Sequence, residues 1–365
     1  MNKSDYIQNL TGLVMPAGNG RWLNQTVGGA MRVCNITVKA RMAAEVQPLA
    51  FGTVITTTQL FNLIIFALWR GKEPYINLHV GLALTSLLAG LTLLAAVPIR
   101  LLVVPTDANM FLFRVFGFCL GMYTNSAAMI ANFAISVDRW LSVEFAVTYR
   151  ATVSKRKTLF VATVGVLGAA FLLATTGDAL FWEHIGVDRC SRQVRFVGIG
   201  FASEFTMFWV FNGQFCLPLL FLTQLRVLMI SAAYRLKRFR HRRQAAAINH
   251  SLGSVGSIRN VARPLQSAAA RALLVRIVWS SLWASMTVIC MTLIARLPYI
   301  ILLYLPPGMK QLVSYQSWMA AGNMTFVMHY TTPLIYALLW PDYRKTVFRM
   351  CMRLKSVVTP HSSMA

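Results

Sequence analysis

Residues Asn132 to Arg150 read NFAISVDRWLSVEFAVTYR: an apolar run stops abruptly at Asp138 and Arg139 and continues into a mixed segment ending at Tyr149 and Arg150. Everything before Asp138 suits lipid or the inside of a helix bundle. The acid and the base do not, because a charge at membrane depth costs several kcal/mol unless it reaches the interface or finds a partner. An acid followed directly by a base at the end of a spanning helix meets that need locally, the carboxylate restraining the guanidinium. It also leaves a strong donor group facing the compartment on that side.

Working outward, the composition fixes the medium. Of 365 residues, 56% are hydrophobic and 13% charged, with a mean hydropathy of +0.56. Soluble domains carry about a quarter charged residues, so the sequence predicts an integral protein of the lipid bilayer. Lys and Arg number 35 against 11 Asp and Glu, a formal net charge of +24. That balance raises nucleic acid as a partner, but the bases are confined to loops between apolar spans, so no nucleic acid is expected. Cys34, Cys119, Cys190, Cys216, Cys290 and Cys351 are scattered. No C-x-x-C or Cys/His spacing marks a metal site, and no cofactor is expected. Residues 1–45 lack the apolar core of a cleavable signal, so the first spanning helix is expected to direct insertion.

Four Asn-x-Ser/Thr sequons, at Asn2, Asn9, Asn24 and Asn35, mark residues 1–45 as a glycosylated, extracellular tail. Seven apolar segments follow, near 47–69, 76–103, 110–142, 158–181, 201–234, 270–304 and 316–339. Each is long enough to cross about 30 Å of hydrocarbon at about 1.5 Å per residue. The expectation is an all-α membrane protein: a seven-transmembrane helix bundle over 46–340, with a short C-terminal amphipathic helix and tail over 341–365. An odd number of spans puts the two termini on opposite sides. With the tail outside, 22 Lys/Arg, among them Arg139, Arg271 and Arg276 at the inner ends of their spans, lie on the cytoplasmic side and 11 outside, while Arg226 and Arg296 fall deeper within spans. Basic residues gather on the cytoplasmic side of membrane proteins, so the charge and the sequons agree.

On that side, Arg235–Arg243 reads RLKRFRHRR and extends the fifth helix as a basic face suited to anionic lipid. Residues 244–269, rich in Ala, Ser and Gly, read as a flexible loop, Pro264 arguing against one unbroken helix. Pro341–Lys355 reads PDYRKTVFRMCMRLK, with Tyr343, Val347, Phe348 and Cys351 at helical spacing among bases. This pattern describes an amphipathic helix on the membrane surface. Cys351 is there either a palmitoylation site or an unmodified thiol.

Seven spans behind such a tail, Asp138-Arg139-Trp140 closing the third, and the amphipathic helix resemble the rhodopsin-like (class A) G-protein-coupled receptors over roughly 47–355. DRWLSVEFAVTYR looks like the family's D-R-Y and second loop, with Trp140 for Tyr, Ala146 for Pro, and the loop Tyr149 kept. TTPLIYALLWPDYR is similar to its N-P-x-x-Y and following helix, with Pro333 and Tyr336 matching and Thr332 replacing Asn. Asn62, LALTSLL at 82–88, Pro218 and Pro298 match on the expected spans. The resemblance implies a multi-pass plasma-membrane receptor and no enzyme. An extracellular ligand shifts a two-state bundle, the sixth span swings near Pro298, and Arg139 exchanges Asp138 for a heterotrimeric G protein while Tyr336 holds the open state.

The departures from the family pattern are informative. Ser86 stands where the second span has a buried acid, and without that carboxylate the usual sodium pocket is not expected to bind an ion. Arg296 stands where the sixth span usually has Trp, and Arg226 where the fifth has Tyr. Arg226 either acts in function or snorkels to the inner interface. Arg296 is too deep for that and points at water, a carbonyl or a ligand, with Glu204 a candidate partner. The family's disulfide joins the outer end of the third span to the second outer loop. Here Cys190 supplies the loop half, the third-span position is Arg114, and Cys119 lies deeper, so Cys34 is the other candidate. Gly121 occupies the amine-binding Asp position, which speaks against a monoamine, and the seventh span has no Lys for a retinal Schiff base. Arg100, Arg114, Arg189, Arg192, Arg195 and Arg296 bias the outer region towards an anionic ligand. Two rivals remain: an atypical seven-helix receptor that scavenges ligand or modulates another receptor, and a transporter, although the spans carry none of the paired acids that transport sites use.

Overall fold

In lipid a backbone must satisfy its own hydrogen bonds, and a helix does so within one segment; the long apolar runs fold accordingly. The computed structural model describes residues 22–25, 31–34, 38–69, 73–103, 109–187, 194–196, 201–251, 262–306, 309, 312–313 and 315–358. Two short strands, β1 (Trp22–Gln25) and β2 (Met31–Cys34), pair antiparallel. Then come α1 (Val38–Leu68), α2 (Ile76–Leu102), α3 (Met110–Glu144) and a short α4 (Ala146–Thr152). After α5 (Lys155–His184), strands β3 (Ile185–Val187) and β4 (Val194–Phe196) form a second antiparallel hairpin. The remaining helices are α6 (Phe201–Thr206), α7 (Cys216–Ser251), α8 (Ala262–Leu303), α9 (Tyr315–Leu339) and α10 (Pro341–Val358).

Among the described residues, six stretches are long and apolar enough to cross a membrane: Glu45–Leu68 of α1, all of α2, α3 and α5, Cys216–Ala233 of α7 and Ser281–Leu303 of α8. The expected seventh span is a helix of 25 residues, but it is not among them. Its polar residues, Gln316, Ser317, Asn323, Thr325, His329, Thr331 and Thr332, explain why. Several of them face partners inside the bundle, where a polar side chain is tolerated because it is hydrogen-bonded.

The fifth segment departs from the expected continuous helix over 201–234. A wide turn over Met207–Phe211 follows α6, the chain breaks, Gly213 takes a φ of +71°, and α7 begins at Cys216. Pro218 accounts for the break: it has no N–H for the carbonyl of Gln214, and its ring clashes with that carbonyl. Gly213 supplies the left-handed conformation that other residues resist. The freed carbonyls are met from α3, where Ser126 Oγ donates to Phe211 O at 2.8 Å and Asn125 Nδ2 to Asn212 O at 3.2 Å.

The loop expected at 244–269 is shorter, since α7 runs to Ser251 and α8 starts at Ala262. Pro264 falls in the first turn of α8, where a missing N–H costs nothing. Helices α1 and α2 pack through Gly90, where a Cβ would stand 2.6 Å from Thr56 Oγ1 and 2.9 Å from the Thr56 nitrogen. At that end of the pair Glu45 accepts from Arg100 Nε and Nη2, each at 2.7 Å. Arg100 is therefore neutralised within the protein and leaves the set of cations open to an anionic ligand.

An aromatic cluster closes the opposite end. Trp340, Tyr336 and Tyr343 are fully buried, with Phe66, Trp69, Tyr75 and His79 around them. Helix α10 buries Tyr343 and Thr346 and rests Val347 and Met350 on the core, while Phe348, Cys351 and Met352 are exposed. The expected face thus divides: Tyr343 and Val347 turn inward, Phe348 and Cys351 outward.

Candidate functional site

Asp138 and Arg139 sit in the last turns of α3, both buried. Arg139 donates from Nε to Asp138 Oδ2 at 2.9 Å and from Nη2 to the same oxygen, while Nη1 donates to Ser281 Oγ on α8 at 3.0 Å. The Tyr75 ring lies 4.2 Å from the guanidinium carbon, a cation–π contact. Helix α3 ends at Glu144, and α4 brings Tyr149 back so that its hydroxyl donates to Asp138 Oδ1 at 2.6 Å. Burial, with the Asp138 carboxylate beside it, pushes the Tyr149 phenol well above its ordinary pKa, so it stays a donor.

From Arg139 a polar chain runs on to Tyr336. Ser285 Oγ donates to Ser281 O at 3.0 Å and lies 3.2 Å from His79 Nε2, and His79 Nδ1 lies 2.5 Å from the Tyr336 hydroxyl. Every group is satisfied if Tyr336 donates to Nδ1 and Nε2–H donates to Ser285, the tautomer assigned here from the network. Three of the expected switch residues, Asp138, Arg139 and Tyr149, therefore touch directly, and Tyr336 joins them through His79 and Ser285. Pro333 is buried within α9 and Pro298 lies within α8. Trp140 turns away: its Nε1 donates to Glu144, which also accepts from Arg226 Nη2 at 2.7 Å. Arg226 is exposed and reaches outward, and its partner is an acid one turn beyond Trp140.

A second chain ties α1, α2, α9 and α10. Tyr343 donates to Asn62 Oδ1 at 3.2 Å, Asn62 to Gln59 Oε1 at 3.1 Å, Gln59 to His329 O, and His329 Nδ1 meets Ser86 Oγ at 2.9 Å. Ser86 thus faces an imidazole, and Thr332 bonds back to Met328 O at 2.8 Å.

Arg296 lies in the half of the bundle away from Asp138. Its Nη2 donates to Asn125 Oδ1 and lies 3.9 Å from Met328 Sδ; its Nε is buried without a partner. Asn125 also bonds Asn212 at the break before α7. The side chain of Glu204, the expected partner, lies outside the described residues, and its backbone is in α6. One turn from Asn125 on α3, Gly121 is exposed, with nothing within 4 Å of where a Cβ would stand. Arg114, two turns further, stacks 5.0 Å from the Trp182 ring centre.

Cys119 is a free thiol in this structure. Cys190 and the Cys34 side chain lie outside the described residues, as do Asn2, Asn9, Asn35 and the Asn24 side chain. Cys351 is free and exposed. The sequence reading missed Tyr75, His79, Ser281 and Ser285. The signal was present: a polar residue within an apolar span is a functional candidate by default, and His79 and Ser285 are such residues.

The sequence matches no family model and no curated protein. Among solved structures, squid rhodopsin is similar at a TM-score of 0.62 and 15% identity, over 90% of this chain and 89% of that one. That likeness defines the fold: the chain has the helical architecture of squid rhodopsin, with six helices among the described residues long and apolar enough to cross a membrane.

Proposed function

We propose that the protein is a seven-helix receptor, α9 completing the set of spans, which transmits binding of an extracellular ligand to a heterotrimeric G protein. In this reading it lies in the plasma membrane with a glycosylated N-terminus outside and the Asp138 end in the cytoplasm. The observation that carries the reading is the closed circuit around Arg139. A buried guanidinium is held by the neighbouring acid, a hydroxyl on α8 and an aromatic face, and movement of α8 away from α3 breaks the Ser281 contact that ties the two helices and frees one donor of the guanidinium. Arg139 then turns from Asp138 towards a partner inserted at the cytoplasmic end. Because the bonds are charge-assisted and re-formed with that partner, the two states differ by only a few kcal/mol. Helix α10 rests its exposed Phe348 and Met352 on the inner leaflet, with Cys351 placed for a lipid anchor.

Nucleotide exchange on purified G proteins, driven by wild type and by Arg139→Ala, tests this reading. The expected outcome is a loss of at least tenfold in the variant. Equal exchange under every ligand and G protein tried would favour an atypical, non-coupling receptor that scavenges ligand or modulates another receptor.

A further inference from the structure

Arg296 is a buried cation whose compensation is incomplete. Among the described residues no carboxylate pairs with it; its contacts are the neutral amide oxygen of Asn125 and the thioether of Met328, and Nε has no acceptor. Glu204 is carried on α6, before the wide turn over Met207–Phe211, and Asn212 follows that turn. Asn212 is at the level of the Asn125–Arg296 pair. An unpaired charge in a medium of low dielectric is costly, so the surroundings of Arg296 are those of a site lacking its counter-charge.

Helix α3 has open space near this pair. Asn125 faces Arg296 and the broken fifth segment, so the position one turn earlier faces the same interior side. That position is Gly121, exposed and surrounded by open space. Any side chain would narrow the opening. Its absence keeps that space open one turn from Asn125, the residue that holds Arg296.

We propose that the open space beside Gly121 leads to a site that binds the carboxylate of a monoanionic ligand, with Arg296 as its counter-ion and Asn125 orienting the guanidinium. The planar fork of N–H donors matches a carboxylate. One positive charge among neutral amides balances one negative charge, not the two of a phosphate. The Asn125–Asn212 bonds fix the Asn125 amide, so its oxygen faces the guanidinium and its nitrogen faces the break. The inference relies on the receptor reading only for the side of approach.

The test uses purified full-length protein in detergent, with formate and propionate as probes and formamide and propionamide as neutral isosteres. Each carboxylate replaces chloride mole for mole, so ionic strength is constant, and the unfolding midpoint is read. A saturable rise of several degrees is expected for wild type with the carboxylates and not with the amides. It should be lost in Arg296→Gln and partly kept in Arg296→Lys, which shows that the loss follows the charge. No rise over chloride, or an equal rise in Arg296→Gln, would overturn the proposal. So would destabilisation by Glu204→Gln together with loss of the formate effect, since Glu204 would then belong to the site as the internal partner. The readout does not involve a G protein, so failure here and failure of nucleotide exchange are separate results.

Discussion

Arg139 and Arg296 are the same residue type on neighbouring helices and are buried alike, 4% and 5% exposed, yet they live in opposite electrostatic conditions. Arg139 has a carboxylate, a hydroxyl and an aromatic face around it. Arg296 has an amide oxygen, a sulfur and one idle N–H. The difference shows that burial alone does not say what a membrane arginine is for. A compensated one is part of a latch that the protein closes by itself; an uncompensated one is completed from outside.

Substitutions can break or sharpen this contrast. The largest effect is expected for Asp138→Ala, which strands Arg139 and should cost about 3–5 kcal/mol of stability, as for any buried pair cut on one side. Adding Arg139→Met should recover most of it; chemical denaturation in detergent measures both. Tyr149→Phe removes one bond to the Asp138 carboxylate and should cost about 1.5–3 kcal/mol, with a rise in ligand-independent nucleotide exchange. Arg296→Gln should carry the opposite sign, raising the stability of ligand-free protein by on the order of 1 kcal/mol, because an uncompensated charge leaves the interior. A loss comparable to that of Asp138→Ala would erase the distinction between the two sites. Arg226→Ala should leave the unfolding midpoint unchanged within error: its pair with Glu144 involves a side chain 53% exposed, and such pairs contribute little.

What could be read from the sequence follows the same physics. The Asp138–Arg139 pair announced itself because two charges end a long apolar run, and Arg296 because a lone charge interrupts one. Helices were legible from length and hydrophobicity, except where Pro218 and Gly213 split the fifth segment, a break those two residues signal together. The ion pair of Glu45 with Arg100 was not legible, since 55 residues separate two charges that each looked like part of the outer rim. Nor was the path from Arg139 to Tyr336, because His79 and Ser285 meet only once α2 and α8 are packed. The four short strands carried no alternating pattern long enough to notice.

Helix α10 is fastened at one end and open at the other. Tyr343, in its first turn, is locked among Phe66, Trp69 and Tyr336, while the exposed Phe348, Cys351 and Met352 lie further along. At about 1.5 Å per residue its 18 residues extend roughly 27 Å. Such a piece behaves as a boom on a pivot. A turn of only ~10° at Tyr343 would sweep its tip by about 4 Å and Cys351 by about 2 Å. The same pivot touches Tyr336, so a rearrangement too small to notice at the aromatic cluster becomes a displacement that a label on Cys351 could measure.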